Sequence, residues 1–213
     1  MVAQNYRYSA AMQTLKKVIA EKKLGKPDAV YVNFFRRLPS QDILPYAHKL
    51  FSLLINDMAV HHFDAMRFLF ESEPITIYSK VWNPCWSWLE RNSSAIVVIE
   101  FKNNIKVSYN ASFCSTGKET SWNGNWQVEC EKGIISLKND EVWIFPMDKK
   151  PIKVKEEKLT YKGQAYLLHE FYLALTKGIK PATTCHDNIK TMNMVFDTIR
   201  SAKTGLPVKC KNL

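Results

Sequence analysis

Residues 54–64 read LINDMAVHHFD: two carboxylates and two adjacent histidines inside a run that is otherwise almost wholly apolar. On an α-helix Asp57, His61 and Asp64 fall at i, i+4 and i+7, so all three share one narrow arc. The rest of the helix expected over 53–70 is apolar nearly all round, with Leu54, Ile55, Met58, Ala59, Val60, Phe63, Ala65, Met66 and Leu69. Such a helix is buried. A buried charge is costly unless it is paired or used. Three chemistries compete for the stripe. The first is a structural Asp–His hydrogen-bond network that pins the helix. The second is metal ligation by Asp57, His61 and Asp64. Against it, His61 and His62 point about 100° apart on a helix, and the zinc-protease spacing of two histidines four apart is absent. The third is acid–base work. An imidazole is the group suited to take a proton from an alcohol near neutral pH, and a carboxylate one turn away would orient it.

The elements that must position this stripe follow from periodicity. Residues 9–23 read as an amphipathic helix with Ala11, Leu15, Val18 and Ile19 inward, ended by Gly25 and Pro27. Residues 29–35 read as a strand, and 38–51, with Pro39 and Pro45, as a loop. From Ile75 to about Thr160 come short β-branched and aromatic runs at 75–82, 95–101, 105–113, 126–132, 133–137, 141–145 and 152–159. Asn103-Asn104, Asn139-Asp140 and the hairpin signal Asn123-Gly124 punctuate them. The run 105–113 alternates cleanly, as in a sheet with one covered face. AIVVIEF (95–101) is apolar on both faces, so it belongs at the centre or at an interface. Helices close the chain over 164–177 and 185–203, the second with Thr184 as N-cap. The expected fold class is α+β, a mostly antiparallel open β-sheet with helices on one face.

The totals narrow the class. A chain of 213 residues that is 46% hydrophobic can bury a sizeable core in one domain over 1–213. No apolar run approaches a membrane span, and the first residues lack the apolar region of a signal peptide. The five cysteines include no C-x-x-C pair and read as small buried or half-buried residues. These features point to the cytoplasm, with no membrane partner. The net charge of +10 is spread thinly over many lysines, without a basic stripe or a nucleic-acid motif, so no nucleic-acid partner is expected.

DMAVHHFDAMRFLFESEP resembles the D-x-x-x-H-x-x-D segment of the glucose–fructose oxidoreductase, inositol dehydrogenase and rhizopine-catabolism (Gfo/Idh/MocA) family. NYRYSAAMQTLKKVIAEKKLGKP is similar to the stretch that follows that family's nucleotide domain. ETSWNGNWQVECEKG is similar to a Trp-Asn-Gly-x-Trp segment of one subset, and residues 169–208 resemble its closing helices and final strand. The resemblance implies the family's C-terminal domain, akin to that of glyceraldehyde-3-phosphate dehydrogenase. It also implies an NAD(P)-dependent oxidoreductase acting on a sugar, inositol or related polyol, and a homo-oligomer built through the sheet. By the same resemblance His61 is the proton acceptor or hydroxyl ligand and Asp57 its partner. Asp64 and Arg7 also fall at family positions read as substrate-binding, Asp64 more structural than chemical and Arg7 near the domain junction, where it packs against the missing domain or touches ligand; Trp122 is read as a sugar-stacking face because a glycine-bearing turn exposes it. The cluster Trp82, Trp86 and Trp88 reads as sheet or interface cover.

The chain departs from the family in one large respect. It has no G-x-G-x-x-G to cradle a pyrophosphate, and it lacks the Glu-Lys-Pro segment whose lysine assists proton transfer. The N-terminal dinucleotide-binding domain is therefore expected to be absent. NAD or NADP would serve the parent enzyme without binding this chain tightly, and the chain is not expected to turn over alone. The rival reading is a non-catalytic ligand-binding or dimerisation module.

Overall fold

The computed structural model describes residues 1–38 and 50–211. Most of the loop expected over 38–51 therefore lies outside the described residues. A 3₁₀ turn, Tyr6–Tyr8, leads into α1 (Ala10–Glu21) and then β1 (Pro27–Phe35). A π-helical segment, Leu54–Ala59, runs directly into α2 (Val60–Phe70). The strands β2 (Pro74–Trp82), β3 (Ser94–Phe101), β4 (Lys106–Ser112), β5 (Asn125–Cys130), β6 (Gly133–Lys138), β7 (Glu141–Pro146) and β8 (Ile152–Lys153) follow. The helices α3 (Gly163–Lys177) and α4 (Cys185–Thr204) and the short β9 (Val208–Lys209) complete the chain.

The nine strands form one open sheet in the order β8-β7-β6-β5-β1-β4-β3-β2-β9. Only β1 and β4 run parallel; the other neighbours are antiparallel. Alternation decides the faces. In β4, Val107, Tyr109 and Ala111 are buried, while Lys106, Ser108, Asn110 and Ser112 look outward. In β3, Val97 and Ile99 are fully buried while Ile96 and Val98 stand 45% and 48% exposed, so its second apolar face lies bare. The helices α1, α2 and α4 cover the other face. There α4 is tied to β2 by Ser79, whose N–H donates to Ser201 Oγ (3.0 Å) and whose hydroxyl donates to the Thr198 carbonyl (2.7 Å). The largest fully buried side chains are Trp126, Tyr109, Phe34, Phe63, Phe101 and Phe113.

Three details differ from the sequence reading. Asn103-Asn104 and Asn139-Asp140 do turn antiparallel hairpins, with Asn104, Asn139 and Asp140 all at positive φ. Asn123-Gly124 turns the chain too, but β4 and β5 are not partners, because β1 occupies the slot between them. The strand expected over 152–159 stops at Lys153; the chain then lies along α1, where the Glu157 N–H donates to Thr14 Oγ1 (2.9 Å). Cys85 and Cys185 are exposed rather than buried, and all five cysteines are free. The helix α3 forms where expected but buries only Leu167, leaving Leu168, Phe171, Tyr172 and Leu175 open.

Candidate active site

A straight α-helix would have put Asp57, His61 and Asp64 in one buried stripe. The wider π turn that carries Asp57 changes its phase relative to α2. The result is a gradient from solvent into the core. Asp57 is exposed, His61 is half-buried and Asp64 is fully buried.

Asp64 is held by Arg7, 57 residues away in the 3₁₀ turn: Arg7 Nε donates to Oδ2 at 2.7 Å and a second guanidinium N–H donates to Oδ1. Arg7 is 7% exposed. Burial pushes the Asp64 carboxyl up, and the guanidinium pulls it back down. Alongside, Arg67 of α2 donates to both oxygens of Glu73, to Thr191 and to Asp187 at the start of α4. The planar guanidinium forks suit such paired contacts. This network fastens the 3₁₀ turn and α2 to α4: Asp64 is taken up by Arg7, whose guanidinium also stands 3.8 Å from Asp187. Neither Arg7 nor Asp64 borders the cleft described below.

The adjacent histidines have different surroundings. His62 is fully buried, with Nδ1 2.9 Å from the Tyr109 hydroxyl and Nε2 3.0 Å from the Trp122 carbonyl. A carbonyl only accepts, so His62 carries its proton on Nε2 and accepts from Tyr109 on Nδ1. Burial pushes it down to about 4, so it is a neutral strut. His61 makes one hydrogen bond among the described residues, Nδ1 to Gln4 Oε1 at 3.0 Å. Its ring stacks on Tyr6, centroids 4.7 Å apart. Partial burial lowers its pKa, against the pull of the Asp57 and Asp64 charges, so the ring is neutral at pH 7. The carboxylate expected to bond His61 acts only through its charge; the bonded partner is the Gln4 amide.

Tyr6 leads to an open cleft of ≈ 430 Å³ lined by Asn5, Tyr6, Ser9, Trp122, Asn123 and Gly163. Burial and the Asp57 charge push the Tyr6 phenol up to about 12, so it stays a hydrogen-bond donor. Trp122 is 44% exposed, and its ring packs against the Arg36 guanidinium 4.6 Å away and against Phe34. The turn that presents it is tightly fixed. Its carbonyl accepts from His62, Asn123 Nδ2 and Ser121 Oγ both donate to Asp140, and Trp126 Nε1 donates to the Asn123 carbonyl. Gly124 sits at φ +76, where an added Cβ would lie 3.1 Å from the Asn33 carbonyl. The structure thus stacks His61 on Tyr6, which lines the cleft together with Trp122, with Asp57 exposed one turn before His61. It adds Gln4, Tyr6 and Asn123, which the residue pattern did not single out beyond the aromatic-Arg-aromatic start. Trp82, Trp86 and Trp88 stand elsewhere; Trp86 and Trp88 donate to the Cys114 and Leu38 carbonyls. Among the described residues no three His, Cys, Asp or Glu side chains gather as metal ligands, and no helix is long and apolar enough to cross a membrane.

Comparisons with known proteins bear on this geometry. Residues 12–136 match the family model described as the GFO/IDH/MocA C-terminal domain. Over 98% of its length the chain is 26% identical to protein y4oX of Sinorhizobium fredii, covering 61% of that protein. Over its whole length it is 22% identical to a D-apiose dehydrogenase of Paraburkholderia graminis, covering 60% of it. A levoglucosan dehydrogenase solved with NADH and L-sorbose superposes with a TM-score of 0.82 at 18% identity, over 100% of this chain and 66% of that one. That last likeness speaks for the fold alone. The chain spans about three fifths of the length of the curated relatives it matches.

Proposed function

This chain belongs to the GFO/IDH/MocA C-terminal domain family, and on that premise we propose that it is the substrate-binding domain of an NAD(P)-dependent dehydrogenase acting on a sugar or polyol. The observation that carries the reading is His61. It is a neutral, half-exposed imidazole, and it stacks on a tyrosine that lines a cleft with an open tryptophan face. Flat aromatic faces suit the apolar side of a sugar ring, and Asn5 lies in the same lining for its hydroxyls, while Ser9 and Asn123 are bonded to each other, Oγ to Oδ1 at 3.2 Å. The relative named for D-apiose, a sugar, and the neighbour solved with L-sorbose and NADH support the substrate class and the cofactor.

The nicotinamide, held elsewhere, would supply the hydride acceptor; what a sugar hydroxyl also needs is a base to take its proton. In this chain the base is His61. The charges of Asp57 and Asp64 favour the imidazolium it becomes, and Tyr6 and Trp122 orient the sugar. Asp64 and Arg7, consumed by their own pair, hold the 3₁₀ turn in place rather than touch substrate. The residues described here do not fit a dinucleotide. Gly124 and Gly133 serve sheet turns, Gly178 and Gly205 end helices, and among the described residues no glycine-rich strand–turn–helix is formed. The contribution of this chain is therefore the proton and the sugar.

The bare sheet face, with Tyr31, Trp82, Ile96, Val98 and Phe145 each 39–48% exposed, supports a homo-oligomer built face to face. Light scattering on the purified chain should give a multiple of 24.7 kDa, reduced to a monomer by Ile96→Lys with Val98→Lys. A monomeric wild-type chain would reject the interface.

The activity itself is tested on the native protein that carries this domain. Incubation with NAD⁺ or NADP⁺ and a panel of aldoses, ketoses, inositols and open-chain polyols should give reduced nicotinamide with at least one of them. Failure across the panel, with sugar binding retained in calorimetry, would favour a non-catalytic binding module.

A further inference from the structure

Gln4 and Asn188 lie 184 residues apart in sequence, one just before the 3₁₀ turn and one in the first turn of α4. Both are buried, at 3% and 7% exposure. Gln4 Nε2 donates to Asn188 Oδ1 at 2.6 Å. With Gln4 Nε2 turned to Asn188, the Gln4 Oε1 faces the other way, 3.0 Å from His61 Nδ1. An amide oxygen accepts and cannot donate. We propose that Gln4, itself oriented by Asn188, is the positioning residue that holds the His61 proton on Nδ1 and leaves Nε2 as the ring's bare acceptor.

The inference rests on the reading of His61 as a base, and it says which nitrogen is the base. In the structure Nε2 makes no hydrogen bond among the described residues, whereas all the bonding to Nδ1 comes from Gln4. A neutral amide is suited to this task. It fixes the tautomer, as the second partner of an imidazole does in other sites, without adding a charge that would hold the ring protonated. The charged and titratable groups around His61 are Asp57 and Asp64 from its own helical run, His62 beside it, and Tyr6 from the 3₁₀ turn. Among the described residues none of them bonds Nδ1, so its proton is assigned by Gln4. The neighbouring His62 has the opposite assignment, with its proton on Nε2 against the Trp122 carbonyl. Two adjacent histidines in opposite tautomers provide an internal control.

The test is long-range ¹H–¹⁵N NMR of the uniformly labelled 213-residue chain at pH 8, with the histidine signals assigned through His61→Gln and His62→Gln. His61 should appear as the Nδ1–H tautomer and His62 as Nε2–H. In Gln4→Met the Nδ1–H form of His61 should lose its dominance. In Gln4→Glu, where a carboxylate replaces the amide at the same reach, the His61 pKa should rise by about one unit or more. His62 should stay unchanged in both. A wild-type His61 in the Nε2–H form would overturn the proposal, because both amides would then be reversed. An unmoved His61 in both variants, with His62 intact, would overturn it too. Should a variant not fold, the wild-type spectrum alone decides. These measurements need neither cofactor nor sugar. A native protein inert towards every sugar, whose His61 still shows Nδ1–H, would reject the dehydrogenase reading and keep this one.

Discussion

The run from Asp57 to Arg67 carries similar side chains at two depths and treats them in opposite ways. The inner ones, His62, Asp64 and Arg67, are buried and fully partnered: His62 between Tyr109 and Trp122, Asp64 by Arg7, Arg67 by Glu73, Asp187 and Thr191. Of the outer ones, Asp57 is exposed, and His61 keeps one ring nitrogen bonded, to Gln4. The inner groups are satisfied by the fold and have nothing left to offer a ligand. The outer ones retain unused capacity, and His61 reaches the cleft only through Tyr6, on which it stacks. Adjacent histidines therefore divide into a strut and a working group, and what divides them is burial and bonding, not residue type.

That contrast breaks most visibly on the inner side. Asp64→Ala strips the buried Arg7 guanidinium of its hydrogen-bonded partner, leaving only the longer ion pair to Asp187 (3.8 Å), and should cost about 3–5 kcal/mol of stability in urea titration. A loss below ~1 kcal/mol would mean that the pair is not what anchors the 3₁₀ turn. The pH dependence comes next. His62 sits at about 4 in the folded chain against an ordinary 6.5. Above pH 6.5 neither state binds the proton and stability is complete. Between 6.5 and 4 the unfolded chain binds a proton that the folded one refuses, so stability falls as pH drops, by about 3 kcal/mol in all. His62→Phe should remove much of that slope, while His61→Ala should leave most of it. His62→Phe itself should cost about 2 kcal/mol, through the unpartnered Tyr109 hydroxyl and Trp122 carbonyl. The smallest effect belongs to the outer side: His61→Ala should change stability by less than ~1 kcal/mol, having only one hydrogen bond and a half-exposed ring to lose.

Much of the sheet was legible because its signals are local. Alternation over 105–113, the asparagine turns at 103–104 and 139–140, and the Thr184 cap depend on neighbours a few residues away. The candidate site was legible only in part. Its helix is clear, but the π turn at Leu54–Ala59 leaves no mark in residue type, so the spacing points Asp57 inward with His61 and Asp64 whereas the fold exposes it. The partners that decide each side chain's role are distant in sequence. Arg7 meets Asp64 across 57 positions, His62 meets the Trp122 turn across 60, and Gln4 meets Asn188 across 184. No periodicity records such pairings. The same holds for α3, whose helical pattern says nothing of how little of it is covered.

The central claim is that the outer histidine moves the proton and the inner one only supports it. The direct measurement is the steady-state rate of sugar oxidation by the native protein carrying this domain, with His61→Ala set beside wild type and the melting temperature recorded for both. The expected result is a fall in kcat of about 10²-fold or more with the fold intact; a stable variant that turns over at the wild-type rate would contradict the account.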